Sequence, residues 1–600
     1  MTKNLQVSIK LDGHPLSAFS SISINQEFNA HHTFEVVVNH DVLEQFGSSS
    51  LEVSKKYMGK FINISFGEKE VSEHTFRGIV TEISMVQSRG AWANISLKGY
   101  SPTYLLEGDS HYSSYYKKNL QAIVDDAVKN MPGNAMPCAI KPLFSKTIPY
   151  MCQYKESHFQ FINRLAAEYG EWFYYDGEKL IFGKPSDQPK VNLHYGEDLE
   201  DMSLSLRVVP ANITHYSYNS GEDKVLTSPS PGNAEGANSY AKHALSVSDD
   251  LYFKPVKQTP LIRTSTGEDL DNYAKQQKER QASNTVLLRA QGSNPKVKIG
   301  SKVTISEVTK ATGKENTLQH GEYLVTGINH YITGTCKYSH SLEALPAVIK
   351  VLPVQLSKPL AETQMAIVKE NKDPDGQGRV RVQMLWQQEK GDMTDWLRVL
   401  TPDAGSSDKV SKNRGFVFIP EKGDQVIVGF RYNDPNRPFV MGSMFHGKIG
   451  GGGGEGNKSK SLTTRSGSTL TLDDDKGNIT ISDPSGNVVT LNGDGTITIN
   501  APDKIDINSK EININGKDLI TLNSKEIKID GTSKVTTSSQ TVETTGKAKV
   551  SITSNAQVEV GAPSTSIEGK ATLKIKSVLV DIDGTAMTNV KGGLLNLNCG

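Results

Sequence analysis

From Ile497 to Leu573 the chain returns to a β-branched residue or leucine at steps of mostly seven or eight residues, through Ile505, Ile512, Leu519, Ile527, Val535, Val542, Val550, Val558 and Ile567. A fixed short period is the mark of a solenoid. Many of these positions open an i, i+2 apolar pair, as in Ile505/Ile507, Ile512/Ile514, Ile527/Ile529, Val550/Ile552 and Val558/Val560. Each repeat is therefore predicted to be a short strand with one apolar face. Three faces per turn of a single-chain β-helix need roughly twenty or more residues, so this repeat cannot close around its own core. Three identical chains wound together, each giving one strand per layer, would set the Val, Ile and Leu rows on a threefold axis. No Phe, Trp, Tyr or His occurs from Ser461 to Gly600, which suits an axis too narrow for rings. At a spacing of about 4.8 Å per layer, ~140 residues build a needle on the order of 80 Å long, stiff because its backbone groups pair along the axis. A disordered polar stalk would not keep such a period.

The whole chain has 600 residues, which calls for about three to six domains. Its 66 basic and 66 acidic residues cancel, leaving no bulk attraction for nucleic acid or an anionic membrane. Fifty-two glycines and an apolar fraction of 36 % fit a turn-rich β protein. The cysteines Cys138, Cys152, Cys336 and Cys599 form no CxxC knuckle, so neither a zinc finger nor a disulfide framework is expected. The opening residues alternate polar and apolar side chains, and no apolar run reaches membrane length. A chain of this kind is expected to be made in the cytoplasm and, if it leaves, to be carried out by a machine.

Composition divides the chain as 1–355, 356–447, 448–461 and 462–600, the third piece being the glycine-rich stretch around Gly450–Gly454. The second piece reads as a closed five- or six-stranded barrel of OB type, with strands at Met365–Lys369, Arg379–Trp386, Trp396–Val399, Gly415–Ile419, Gln425–Phe430 and Pro438–Met441. The first piece alternates strands (Leu5–Lys10, Thr33–Val38, Phe61–Phe66, Trp92–Gly99, Lys296–Ile305, Tyr323–Tyr331) with helices at Asn119–Asn130, Ser157–Tyr169 and Asn272–Ser283. The predicted class is mainly β: a β-rich α+β region of tandem barrels, an OB-fold barrel and a C-terminal intertwined triple-stranded β-helix in a homotrimer.

Particular motifs carry a resemblance. Asn371-Lys-Asp-Pro-Asp-Gly-Gln-Gly-Arg379, Trp396-Leu-Arg398, Gly423-Asp424 and Asn433-Asp434-Pro435-Asn436-Arg437-Pro438 resemble the OB domain of the VgrG family. These are trimeric spikes of type VI secretion systems, related to hub and spike proteins of contractile phage tails. Phe76-Arg77-Gly78, Gly99-Tyr-Ser101-Pro-Thr103, Glu156-Ser157-His158-Phe159 and Gly321-Glu-Tyr-Leu-Val-Thr-Gly-Ile-Asn-His330 resemble the family's hub, and Thr464-Arg465-Ser466-Gly467 the start of its β-helix. Gln425 stands where an acidic residue is usual.

The resemblance implies a spike on the Hcp tube and baseplate, with a PAAR-type tip protein, effectors and their adaptors as further partners. Contact with the target membrane would be transient. Such a spike is cytoplasmic while assembled on the baseplate and is injected or secreted on firing. No lysozyme-like domain separates barrel from needle, and nothing follows the needle, so an effector-bearing spike is not expected. A phage or extracellular injection particle would use the same design. Enzymatic spikes and carbohydrate-binding solenoids are the contrasting classes, the first predicting turnover and the second a monomer.

No catalytic, cofactor or metal site is expected. Gly442-Ser443-Met-Phe-His446 lacks the second glycine of a nucleophile elbow and reads as a turn. Asp373-Pro-Asp375-Gly-Gln377 opens like a calcium loop but reaches Met384 at position twelve, where a bidentate acid is needed. His31-His32 with His40 reads as an exposed strand edge. Asp473-Asp474-Asp475 reads as the turn after the first needle strand, and no GxxxxGK[ST] loop occurs. Some related spikes hold iron through HxH at the tip, but this terminal region has no histidine. Leu594, Leu595 and Leu597 with Asn598 and Cys599 are instead expected to form an apolar platform for the tip protein.

Overall fold

Strands with alternating burial dominate the first of two units, Met1–Asn457 and Lys458–Gly600, in the computed structural model. The described residues are 3–44, 51–87, 93–132, 135–311, 314–354 and 358–597. A 14-stranded sheet carries the hub. One run of it closes on itself: Lys190–Tyr195 pairs with Leu199–Leu206 and Lys302–Ala311, and Lys337–Pro346 bonds both Val286–Gly292 and Lys314–Thr333. Inside it lie Leu193, Val303, Ile305, Leu324 and Leu342. The other run goes through Ser21–Glu27, Thr33–Asn39, Asn94–Tyr100, His74–Val86 and Phe61–Gly67 to Gln6–Leu11. Its inward residues Ile22, Ile24, Val36, Ile62, Ile64 and Leu97 form a second core. Lys314–Thr333 is long enough to serve both runs, pairing with Ser21–Glu27 as well.

Helix α1, Leu120–Val128, starts where Asn119 accepts the Ala122 N–H. α2, His158–Tyr169, has a capping box between Ser157 and Gln160 and ends at Gly170 in the left-handed region. α3, Ser239–Leu251, was not expected, because its buried side is mostly alanine and serine (Ala241, Ala244, Leu245, Ser248) and gives little apolar signal. α4, Gly267–Ser283, begins earlier than expected, since Thr266 and Asp269 form a capping box ahead of its polar first turn. The expected strand Lys296–Ile305 is instead a turn followed by Lys302–Ala311.

The OB barrel is a sheet of four strands, ordered Arg381–Met384, Gln364–Glu370, Gln425–Phe430, Pro438–Ser443. The expected strand Trp396–Val399 is reduced to two bridges, Val380 to Leu397 and Val399 to Val440, which join the sheet's two edges. Gly415–Ile419 contributes only the short ladder Arg414–Gly415 against Ala404–Gly405. Ser443 ends a strand; it is not the turn expected there.

Two of the motifs have structural work. Asp373 accepts the backbone N–H groups of Asp375, Gln377 and Arg379 and two bonds from the Arg379 guanidinium at 2.9 and 2.6 Å. The guanidinium first, and then these N–H groups, hold the Asp373 carboxyl well below the usual range. The Asn433–Arg437 motif locks the barrel to the hub. Asn436 Oδ1 accepts the Cys152 N–H at 2.8 Å, and Arg437 donates to the carbonyls of Pro260 and Ile262 at 2.8 and 2.9 Å. Trp386 packs on Tyr112 nearby. Just inside, buried Arg164 is held between Glu156 and Glu168 at 2.7 and 3.1 Å.

The histidines are not a strand edge. His32 and His40 are buried, and His31 bonds Thr103 and Glu107. His32 belongs with His74, His330 and His340 to a buried group where the two runs of the sheet meet: His330 lies 4.4 Å from His74 between ring centres and bonds Tyr338 Oη at 2.8 Å. Burial brings His32 and His74 down to about 3 and His340 to about 4. Both ring nitrogens of His74 and of His340 lack a hydrogen-bond partner.

In the second unit, residues 459–500 pair within the chain as a five-stranded antiparallel meander from Ser459–Thr463 to Ile497–Asn500. Ile497, read above as the start of the first repeat, opens its last strand. Asp473 closes the second strand and accepts the N–H groups of Asp475 and Lys476, so the aspartate triplet turns after the second strand, not the first.

Candidate functional site: the shaft segment and its corners

Beyond Asn500 none of the described residues 501–597 lies in a helix or joins a ladder with another part of the chain. Its apolar rows are open. The first residue of each pair, from Ile505 and Ile512 to Val550 and Val580, is 48–58 % exposed, and the second, such as Ile507, Ile514 and Ile552, 63–77 %. A fully buried Val or Ile gains about 1.5–3 kcal/mol over an exposed one, and unpaired backbone groups cannot be covered without partners. The segment is thus a strand ladder with its other strands missing.

The corners are more regular than the apolar period. Successive strands end at Ser509, Gly516, Ser524, Gly531, Ser539, Gly546, Ser554, Gly561, Gly569, Ser577, Gly584 and Gly592. After every serine the next corner comes seven residues on; after every glycine, eight. At four of the five serine corners the hydroxyl oxygen accepts the N–H two residues on: Glu511 to Ser509 and Glu526 to Ser524 at 3.3 Å, Thr541 to Ser539 at 3.4 Å, Ala556 to Ser554 at 3.2 Å. That side chain stands in for a backbone turn and makes it shorter. At the glycine corners the longer connection folds back over the α-carbon. A Cβ at Gly531 or Gly546 would lie 2.9 or 2.6 Å from the carbonyl oxygen of Lys534 or Lys549, and Gly516, Gly569 and Gly584 are as tight. Gly561 departs from this, with open space beside it and Pro563 following.

This register corrects two assignments. Ile520 and Leu522, not Leu519, hold the paired positions of their strand, and Ile567 is the second of its pair, with Thr565 first. The spacing of the serine and glycine corners was present in the sequence and is the signal that fixes phase; the apolar period alone left it loose by one or two residues.

Of the expected tip residues, Leu594, Leu595 and Leu597 are exposed beyond the last corner, at 85, 55 and 80 %. Asn598 and Cys599 lie outside the described residues. Among the described residues no cluster of His, Cys, Asp or Glu is placed to hold a metal ion, and no helix is long and apolar enough to cross a membrane.

The comparisons with known proteins fall on the same divisions. The pattern of the phage tail baseplate hub family matches residues 35–335, half of the chain, and that of the type VI secretion system/phage-baseplate injector OB domain matches 364–445. The type VI secretion system spike protein VgrG1a of Pseudomonas aeruginosa is 23 % identical over 435 residues, covering 65 % of this chain and 63 % of that protein. VgrG3 of Vibrio cholerae is 24 % identical over 348 residues, which are 50 % of this chain and 30 % of the relative. The matched region thus spans less than two thirds of these relatives. Among solved structures, the Francisella PdpA–VgrG complex shares the fold at a TM-score of 0.51 and 9 % identity, over 83 % of this chain and 80 % of that one. With a matched hub, a matched injector barrel and a repeat that its own chain cannot close, the chain belongs to the phage tail baseplate hub family and, within it, to the VgrG-type spike proteins.

Proposed function

We propose that three copies assemble into the spike of a type VI secretion apparatus, which pierces a target envelope and delivers effectors. The carrying observation is the open double row of Val, Ile and Leu along 501–597, with no backbone ladder of its own. Two further copies supply the missing strands of each layer, and the apolar rows meet on the axis. The product is a rod whose backbone bonds run along its length, and force passed from the hub reaches its end without buckling. The work is mechanical and asks no side chain to act as acid, base or nucleophile.

In this reading the hub sits on the Hcp tube and the baseplate in the cytoplasm, and the spike travels into the target on firing. Leu594, Leu595 and Leu597, present three times, form the apolar seat of a PAAR-type tip protein. Effectors ride on that cap, on adaptors or in the tube. The names of relatives such as VgrG1a, VgrG1c and VgrG3, each a spike protein, support this reading over an enzymatic one.

Sedimentation and electron microscopy of the purified full chain test it. The expected result is a trimer with a broad head and thin stem; a folded single-copy species at micromolar concentration overturns it.

A further inference from the structure

A cleft of about 610 Å³ lies in the hub unit between the loop at 143–149, the end of α2 and the start of α4, with Asn436 of the barrel at its edge. It is separate from the shaft and independent of the spike reading. Phe144, Ile148, Tyr169 and Tyr273 supply apolar and aromatic wall. Among these walls stand Glu168, Glu171 and Glu279.

The charges in the cleft are unevenly satisfied. Its three basic residues are already paired, Lys146 with Asp269 of the cleft wall at 2.8 Å, Arg263 with Asp395 at 3.2 Å and Lys350 with Glu235 at 2.6 Å. Two of the carboxylates, Glu171 and Glu168, each keep one oxygen without a hydrogen-bond partner. Glu171 is 4 % exposed; its Oε1 accepts the Phe144 N–H at 2.8 Å, while its Oε2 has no hydrogen-bond partner. Glu168, 3 % exposed, is bonded by Arg164 through Oε1 and leaves Oε2 unpartnered. Burial pushes the Glu171 carboxyl up, a cost that an adjacent cation would relieve. An unmatched buried carboxylate oxygen carries a desolvation cost that a donor placed beside it removes, and aromatic walls beside it favour a cation on an apolar arm.

We propose that this cleft binds an ammonium or guanidinium group carried on an apolar arm, with Glu171 as its anchor, Glu168 and Glu279 as flanking carboxylates, and Phe144, Tyr169 and Tyr273 packing on the arm. The cation arrives either as a lysine or arginine side chain of a protein segment or as a free arylalkylamine.

Calorimetric titration of the assembled full chain tests this with three probes: the capped tripeptide Leu-Arg-Leu, the same peptide with glutamine for arginine, and phenethylamine. The arginine peptide is expected to saturate one site per chain, at least about tenfold tighter than the glutamine peptide, as befits a charge-assisted bond. Glu171→Gln keeps the acceptor for the Phe144 N–H and should weaken the arginine peptide by a similar factor, and Glu279→Gln by less. Exposed Glu178→Gln should change nothing. Phenethylamine binding as tightly as the peptide supports the site and identifies a free amine as its ligand; tighter peptide binding identifies a protein side chain. Equal binding of the arginine and glutamine peptides, an unaltered Glu171→Gln variant, or no saturation by either cation at millimolar concentration overturns the proposal.

Discussion

Ile62 and Ile64 in the hub and Ile527 and Ile529 in the shaft are the same residues at the same i, i+2 spacing. The first two are fully buried, and the second two are 52 and 70 % exposed. The difference lies in what the chain can bring to their face. Around Ile62 and Ile64, strands distant in sequence return to complete a closed core, because the connecting loops and helices are long enough to reverse the chain and cover it. In the shaft each connector is a short corner with a bend of one or two residues, which turns the strand but brings nothing back across it. One region folds by its own contacts, while the other waits for copies of itself. Its stability should therefore depend on concentration, as that of the hub should not.

The strongest test of that contrast is Ile527→Asp. Three carboxylates placed on one layer of the axis should abolish assembly, leaving single copies with an intact hub. Sedimentation would show the loss, and hub melting should be unchanged. A trimer that survives this change would remove the distinction between the regions.

Next in size is Arg164→Ala in the hub, which leaves Glu156 and Glu168 buried without their cation. It should cost about 3–5 kcal/mol, read as a lower denaturant midpoint for the hub transition with assembly of the shaft retained.

The corners sharpen the comparison at about 1–3 kcal/mol per chain, the range for inserting an atom into a filled space. Gly531→Ala drives a Cβ against the Lys534 carbonyl and should lower the melting temperature of the shaft alone. The same change at Gly561, with open space beside it, should be nearly silent.

The effect that is smallest near neutrality, and grows only in acid, belongs to pH. His32, His74 and His340 are neutral in the fold and held at about 3 to 4, against about 6.5 in the unfolded chain. The unfolded state thus takes up protons first. The contribution of these residues is fully present above about pH 6.5 and is lost as pH falls toward 3, at about 1.4 kcal/mol per unit for each group that titrates. His74→Phe, stacked like the native ring on Phe66, should flatten the hub's stability profile below pH 6.5 by that amount and leave the shaft's profile alone.

Much of this molecule was legible before folding. Ser157 ahead of Phe159, Phe161, Ile162 and Leu165 marked α2 to within a residue, because cap and apolar stripe agree. α3 was invisible, since an alanine and serine face is apolar only in the company of Ala211 and Val286, which pack on it. Trp396–Val399 was read as a full strand, and the register of its neighbours leaves it two bridges. His32 and His40 look like surface residues beside so many polar neighbours, and only the meeting of distant strands buries them. The Glu171 cleft had no sequence signal, because its walls come from five separated stretches, the last of them Asn436 alone.

The shaft's dependence on other chains was set by the sequence alone. Connectors of a few residues cannot return the chain across its own apolar face, and the serine and glycine corners fix where each strand ends. The closure of the hub, the burial of its histidines and the unmatched carboxylate of Glu171 were decided only by the tertiary fold. Those properties belong to pairs of surfaces brought together from far along the chain, and a local pattern cannot specify which surfaces will meet.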